Sequence, residues 1–298
     1  MRSCLVCIVD CELLKSRSKI LNLKIQFVEI EDLKFAQKNK LGTIQFIQSA
    51  NCKDLSPGSL NPKNAKYILD NLNFGITECL KNKKVGLVTG PIQKSNIIEG
   101  GFKTFQGHTE WIQKRTKSKN VVMLLSAKNI KVALATTHIP LTEVAKNIRK
   151  AKLVETIQTL HSGLKTKFKI KHPSITVLGL NPHAGENGKI GTEEIKKINP
   201  AVKVCRDMGI NASYAISADT AFTAKKLKQT DVYLAMYHDQ ALPVLKALSF
   251  GEAVNITLGT GIVRTSVDHG TALDIAGKMK PNLGSIKEAI KAAEVQLK

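Results

Sequence analysis

Seven short apolar runs, at residues 5–9, 25–30, 85–88, 121–125, 132–135, 175–180 and 232–236, are each closed by turn-forming residues. Stretches with helical spacing, such as 11–21 and 65–80, stand between most of them. Runs this short fit buried strands. Strands alternating with helices predict an α/β fold with a mostly parallel sheet and helices on its faces. Such sheets bind ligands beyond the carboxyl ends of their strands. The residues that follow each run therefore decide the chemistry.

Three histidines, His138, His183 and His238, each follow the end of an apolar run. A single histidine in such a place is commonly a satisfied core residue. Three in equivalent places suit a divalent metal with positions left open for substrate. Asp219 and Asp239 stand near them in the chain, as carboxylates that fix an imidazole tautomer do. Residues 231–278 are the richest stretch. After the run at 232–236 come Tyr237-His238-Asp239-Gln240, then Lys246, Asn255 and Arg264, the polar types that hold anions, and then Asp268-His269-Gly270-Thr271-Ala272. A core needs none of these.

Elsewhere the run at 85–88 leads into Thr89-Gly90-Pro91-Ile92-Gln93-Lys94, a ligand loop or an ordinary turn between strand and helix. His108 and Thr109 stand before a helical stretch, with Thr109 as its cap. A helix N-terminus there welcomes phosphate, and a plain cap is the alternative. Thr142 is expected to cap one helix with Val144, Ile148, Ala151, Val154 and Ile157 on its apolar face. His161 and His172, in lysine-rich surroundings, are expected at the surface.

The chain of 298 residues is 43% apolar, enough for a sizeable core. Its net charge of +21 arises from 45 basic and 24 acidic residues scattered along the whole length. With aromatics at only 5%, a base-stacking platform is hard to build, so the charge points to anionic small molecules and not to nucleic acid. No apolar run approaches the roughly 18 residues that span a bilayer. The first residues read as a strand and not as a signal peptide, so a cytoplasmic protein without membrane contact is expected. Cys4, Cys7 and Cys11 sit in or beside an apolar run and are expected to be buried thiols.

The segments GPIQKSNI, FQGHTE, ATTHIPL, LNPHAGENGKIGTEEI, ADTAF, MYHDQALPVLK and VNITLGTGIVRTSVDHGTALDIAGK resemble, in order, the motifs of the 4-hydroxythreonine-4-phosphate dehydrogenase family. The resemblance runs from about Leu5 to the C-terminus. It implies a two-domain isopropylmalate dehydrogenase-like fold. Residues 1–106 plus 247–298 would form the cofactor side, and residues 107–246 the metal, substrate and dimerisation side. It implies a homodimer with shared active sites and one divalent metal (zinc, magnesium or cobalt) on His138, His183 and His238, one of these from the partner. His108, Thr109, Lys246, Asn255 and Arg264 would bind a small phosphorylated amino-acid substrate. Asp219, Asp239 and Lys246 would be catalytic. NAD or NADP would lie with its adenosine end near His269, Gly270, Thr271 and Ala272.

The implied reaction is oxidation of 4-phosphohydroxy-L-threonine to 2-amino-3-oxo-4-phosphooxybutanoate. That β-keto acid decarboxylates to 3-amino-2-oxopropyl phosphate on the route to pyridoxal phosphate. The metal would polarise the 3-hydroxyl while hydride passes to the nicotinamide. Two departures stand out. The family opens with a strand and a G-D-P-x-G-I-G-P-E loop that this sequence does not contain, so the first strand is expected to be lacking and the flank at 85–88 to be exposed. Gly259-Thr260-Gly261 stands where the family has G-L-P. The alternatives are a paralogous dehydrogenase of a threonate or erythronate phosphate, or a truncated, inactive binder of phosphorylated ligands.

Overall fold

The computed structural model describes residues 3–53, 56–127, 130–249, 252–278 and 280–298. Ten strands are present among them: β1 (Val6–Ile8), β2 (Gln26–Glu29), β3 (Thr43–Ile47), β4 (Gly86–Thr89), β5 (Val122–Ala127), β6 (Ile130–Leu134), β7 (Ile175–Val177), β8 (Val232–Ala235), β9 (Val254–Leu258) and β10 (Val263–Val267). The α-helices are α1 (Cys11–Ile20), α2 (Ala65–Lys81), α3 (Lys94–Glu99), α4 (His108–Thr116), α5 (Leu141–Asn147), α6 (Lys150–Lys167), α7 (Asn199–Asp207), α8 (Ala224–Gln229), α9 (Leu242–Ser249) and α10 (Gly284–Leu297).

β1, β3 and β2 form a small sheet in that order, all parallel. The large sheet runs β4-β10-β9-β5-β6-β8-β7. Its two flanks are parallel, while β10–β9, β9–β5 and β5–β6 are antiparallel. The sheets are therefore mostly parallel, as expected, around an antiparallel centre. The carboxyl-terminal strands β9 and β10 insert between β4 and β5, which carries residues 254–267 to the middle of the sheet.

The period of two along a strand divides the core into two layers. On β8, Val232 and Leu234 pack with Leu153, Ile157, Leu160 and Leu164 of α6. Tyr233 and Ala235 face the other way, toward Leu242 and Leu245 of α9. All four β8 residues are buried, as a strand covered by helices on both faces requires.

Several local expectations fail for identifiable reasons. The single helix expected over 142–157 is two: α5 ends at Ile148, whose ψ of 105° is extended, and α6 starts after Arg149. Pro140, not Thr142, is the residue before α5. Thr109 is no cap either, because α4 already begins at His108 behind Gly107. Cys4 and Cys7 are exposed and Cys11 is half-buried, because β1 is an edge strand bordering a cavity. His161 is half-buried with its Nδ1 enclosed and without a hydrogen bond, since α6 packs against the sheet.

Candidate active site

Backbone pairing carries two of the histidines to one place. Beyond β6 and β8 the ladder continues through Ala135 N to Ala235 O (2.8 Å) and Thr136 N to Met236 O (3.2 Å). The buried Thr136 hydroxyl also donates to Met236 O, at 2.7 Å. With the strand ends pinned, the His138 and His238 rings lie with centroids 5.6 Å apart. Gln240 secures the turn that carries His238: its Oε1 accepts from Met236 N and its Nε2 donates to Gly179 O. Asp239 Oδ1 lies 2.6 Å from His238 Nδ1. That contact fixes the tautomer and leaves Nε2 to face a ligand. Burial, then the charges of His238 and Lys94, hold His138 below the usual imidazole range, against an opposing effect of Glu110. A neutral ring is the form that binds metal.

His183 is placed separately. It rides on a turn over Pro182–Gly188 in which residues 183–187 all have positive φ. L-residues resist that conformation at about 1–2 kcal/mol each, so the turn needs an anchor. Glu194, 1% exposed, supplies it. Its carboxylate accepts from Leu180 N (2.7 Å), Asn181 N (2.8 Å) and Asn181 Nδ2 (2.9 Å). Gly185 makes room: a Cβ there would lie 2.6 Å from Glu194 Oε2. Asp219 Oδ2 is 4.0 Å from His183 Nδ1, in ion-pair range but beyond hydrogen-bonding distance. Among the described residues of one chain, no three His, Cys, Asp or Glu side chains form a metal-binding group. One protomer thus presents a converging pair, His138 and His238, and an apart, 65% exposed His183.

The anion side is built on β9 and β10. Asn255 pairs with Ser266 across the sheet, and alternation puts Asn255, Thr257, Arg264 and Ser266 on one face. Arg264 is 2% exposed. It donates to the Thr257 hydroxyl (3.1 Å) and the Thr89 hydroxyl (2.8 Å), but its buried Nε has no partner, nor has Asn255 Oδ1. Burial brings the guanidinium down to about 10, so it keeps its charge at neutral pH. A buried cation held by hydroxyls and no carboxylate is a poor structural element and a good anion seat. Beside it His108, at the first position of α4, is pushed down to about 3, first by burial and then by the Arg264 charge. His108 is therefore neutral at working pH. Thr109 follows on the same first turn, half-buried.

Lys246 is exposed on α9, its Nζ 3.9 Å from Asp268. Burial raises the Asp268 carboxyl, against opposing charges on Lys246, His238 and His269. The segment beyond Asp268 is open to solvent. Thr271 Oγ1 donates to Gln93 Oε1 at 3.2 Å, joining this segment to the Gly-Pro turn after β4. His269 Nδ1 lies 2.8 Å from Gly270 O, and Ala272 is left-handed at φ 47°. Thr89, Glu194, Gln240 and Asp268 were not singled out as site residues. Asp268 alone had a signal, in the dense polar run that it opens.

The whole-chain match is to the family model described as "Pyridoxal phosphate biosynthetic protein PdxA", over residues 1–293. A curated 4-hydroxythreonine-4-phosphate dehydrogenase of Enterobacter sp. (strain 638) is 45% identical over 97% of this chain and 88% of its own length. One from Pseudoalteromonas translucida is 43% identical over 97% of this chain and 89% of its own. Among solved structures, the enzyme of that name from Klebsiella pneumoniae superposes with a TM-score of 0.86 at 29% identity, covering 98% of this chain and 89% of that one. The one from Burkholderia phymatum gives 0.83 at 33%, covering 99% and 88%. A terephthalate 1,2-cis-dihydrodiol dehydrogenase from Burkholderia xenovorans, at 19% identity and a TM-score of 0.64, over 95% of this chain and 92% of that one, shares the fold.

Proposed function

We propose, from the chain's membership of the pyridoxal phosphate biosynthetic protein PdxA family, that it oxidises 4-phosphohydroxy-L-threonine with a nicotinamide cofactor. The observation that carries this reading is the pairing of two imidazoles, His138 and His238, with a buried, incompletely partnered Arg264 in one active-site region.

The donor set fits a divalent metal such as zinc, magnesium or cobalt. His138 and His238 would hold it through nitrogens that Asp239 and burial keep available. The third imidazole, His183, would reach the pair from a second copy of the chain, which makes the homodimer the working unit. When bound, the metal lowers the pKa of the substrate hydroxyl and NAD or NADP takes up the hydride.

The chain's own groups do the rest. Arg264, with Asn255 and the neutral His108 and Thr109, seats the phosphate and orients the carbon skeleton. Lys246 places a second cation at the open rim. Asp239 and Asp219 keep His238 and His183 in the ligand tautomer. Gln93 and residues 269–272 border the cofactor's adenosine end. The oxidised product is a β-keto acid, and its decarboxylation needs only that the cationic rim steady the enolate. Reduced cofactor formed from 4-phosphohydroxy-L-threonine, against threonate and erythronate phosphates as competitors, tests the reading. Preference for either competitor moves the protein to another substrate within the same chemistry, and no turnover of any of them contradicts it.

A further inference from the structure

A cavity of about 850 Å³ lies away from the paired histidines and is lined by consecutive residues 3–9 and 84–92. Successive side chains of a strand point to opposite faces. Only the edge of a strand can present every residue of a run to one cavity, so the cavity lies in the plane of the sheets and not above it. Among the described residues β1 pairs with β3 alone and β4 with β10 alone, so each turns an unpaired edge to this space. Helices close both faces: Ile68, Leu72 and Gly75 of α2, and Ile286, Ile290 and Leu297 of α10. Gly75 sets the width. A Cβ there would meet Leu87 of β4 at 2.7 Å and Ile8 of β1 at 3.2 Å, so α2 bridges the two edges.

We propose that this slot is a strand-accepting site. It takes one extended segment of a second polypeptide, apolar on both faces, which hydrogen-bonds to the β1 edge on one side and to the β4 edge on the other. The occupant's chemistry follows from the walls. Two facing rows of backbone donors and acceptors are satisfied together by a strand and by no compact ligand. Helices on both faces demand apolar side chains at successive positions, the pattern of a buried strand. At about 3.3 Å per residue, four or five residues cover the edge of β4. The net charge of +21 favours acidic residues flanking that segment. Occupancy also bears on the active site, because Thr89 ends β4, lines the slot and receives a hydrogen bond from Arg264.

Cys7 reports on the slot. It lies on β1, exposed within the lining. The test is alkylation of Cys7 by N-ethylmaleimide near pH 8.5, followed by mass spectrometry on the whole protein. The probe is a capped peptide with five alternating Val and Ile residues between glutamates. At ten times its Kd the peptide should slow Cys7 labelling about tenfold and slow amide exchange in β1 and β4, with Cys52 labelling unchanged. The same peptide with alternate amides N-methylated should protect neither. Equal protection by the methylated peptide would reduce the slot to an apolar pocket and overturn the proposal. So would the absence of protection by any strand peptide. Protection of Cys7 that rises with protein concentration alone, together with a growing mass, would assign the slot to another copy of this chain and equally overturn it.

Discussion

The Nδ1 of His238 lies 2.6 Å from Oδ1 of Asp239, its neighbour in the chain. The contact commits one ring nitrogen and turns the other toward His138. Asp239→Asn keeps the shape but offers an amide in place of a carboxylate. Metal affinity should fall by about 10–100-fold with the circular dichroism spectrum unchanged, which metal titration by calorimetry would measure.

Glu194 anchors the left-handed turn that carries His183. Glu194→Gln loses the charge-assisted character of its backbone bonds, each worth about 1.5–3 kcal/mol. Urea unfolding should show a loss of about 2 kcal/mol or more, and metal should bind more weakly because His183 is no longer held in place. Unchanged stability would mean that the turn is anchored elsewhere.

Much of this arrangement was legible in the sequence. β8 and His238 could be read because an apolar run ends abruptly in polar residues at a sheet's carboxyl edge. β9 and β10 were not read as strands: Thr257, Arg264, Thr265 and Ser266 are buried yet are the types expected at a surface. Their polar atoms are satisfied inside the fold, Thr265 by Ala289 O and Ser266 by Thr89 O, which no local pattern announces. The strand order was equally hidden, because β10 pairs with β4 from almost two hundred positions away. Cys7 was expected to be buried because its neighbours are apolar. Apolar neighbours specify a strand but not whether its edge is covered.

Arg264 is held by two hydroxyls, of Thr89 and Thr257. Arg264→Lys retains the charge but loses the planar fork. KM for the phosphorylated substrate should rise about thirtyfold, equivalent to about 2 kcal/mol, with a smaller change in kcat. Thr89→Val should move KM in the same direction by less. An unchanged KM in both would place the phosphate elsewhere.

His108 is held at about 3 in the folded protein by burial and by Arg264, against about 6.5 when unfolded. The unfolded chain therefore takes up a proton below pH 6.5 that the folded protein refuses, and stability is lost as the pH falls toward 3. Between pH 8 and pH 5 this one group should remove about 2 kcal/mol. His108→Asn should flatten that part of the pH–stability curve, and denaturant unfolding at the two pH values would show it.

The most direct measurement is cofactor reduction by purified protein given 4-phosphohydroxy-L-threonine, titrated with metal after chelation. Reduction should vanish on chelation, return in proportion to added zinc, magnesium or cobalt up to one ion per active site, and be lost in His183→Ala and His238→Ala alike. Mixed dimers of those two variants should recover part of the activity, because one site regains all three imidazoles. Turnover that persists in metal-free protein, or two histidine variants that never complement each other, would contradict a metal centre shared between two chains.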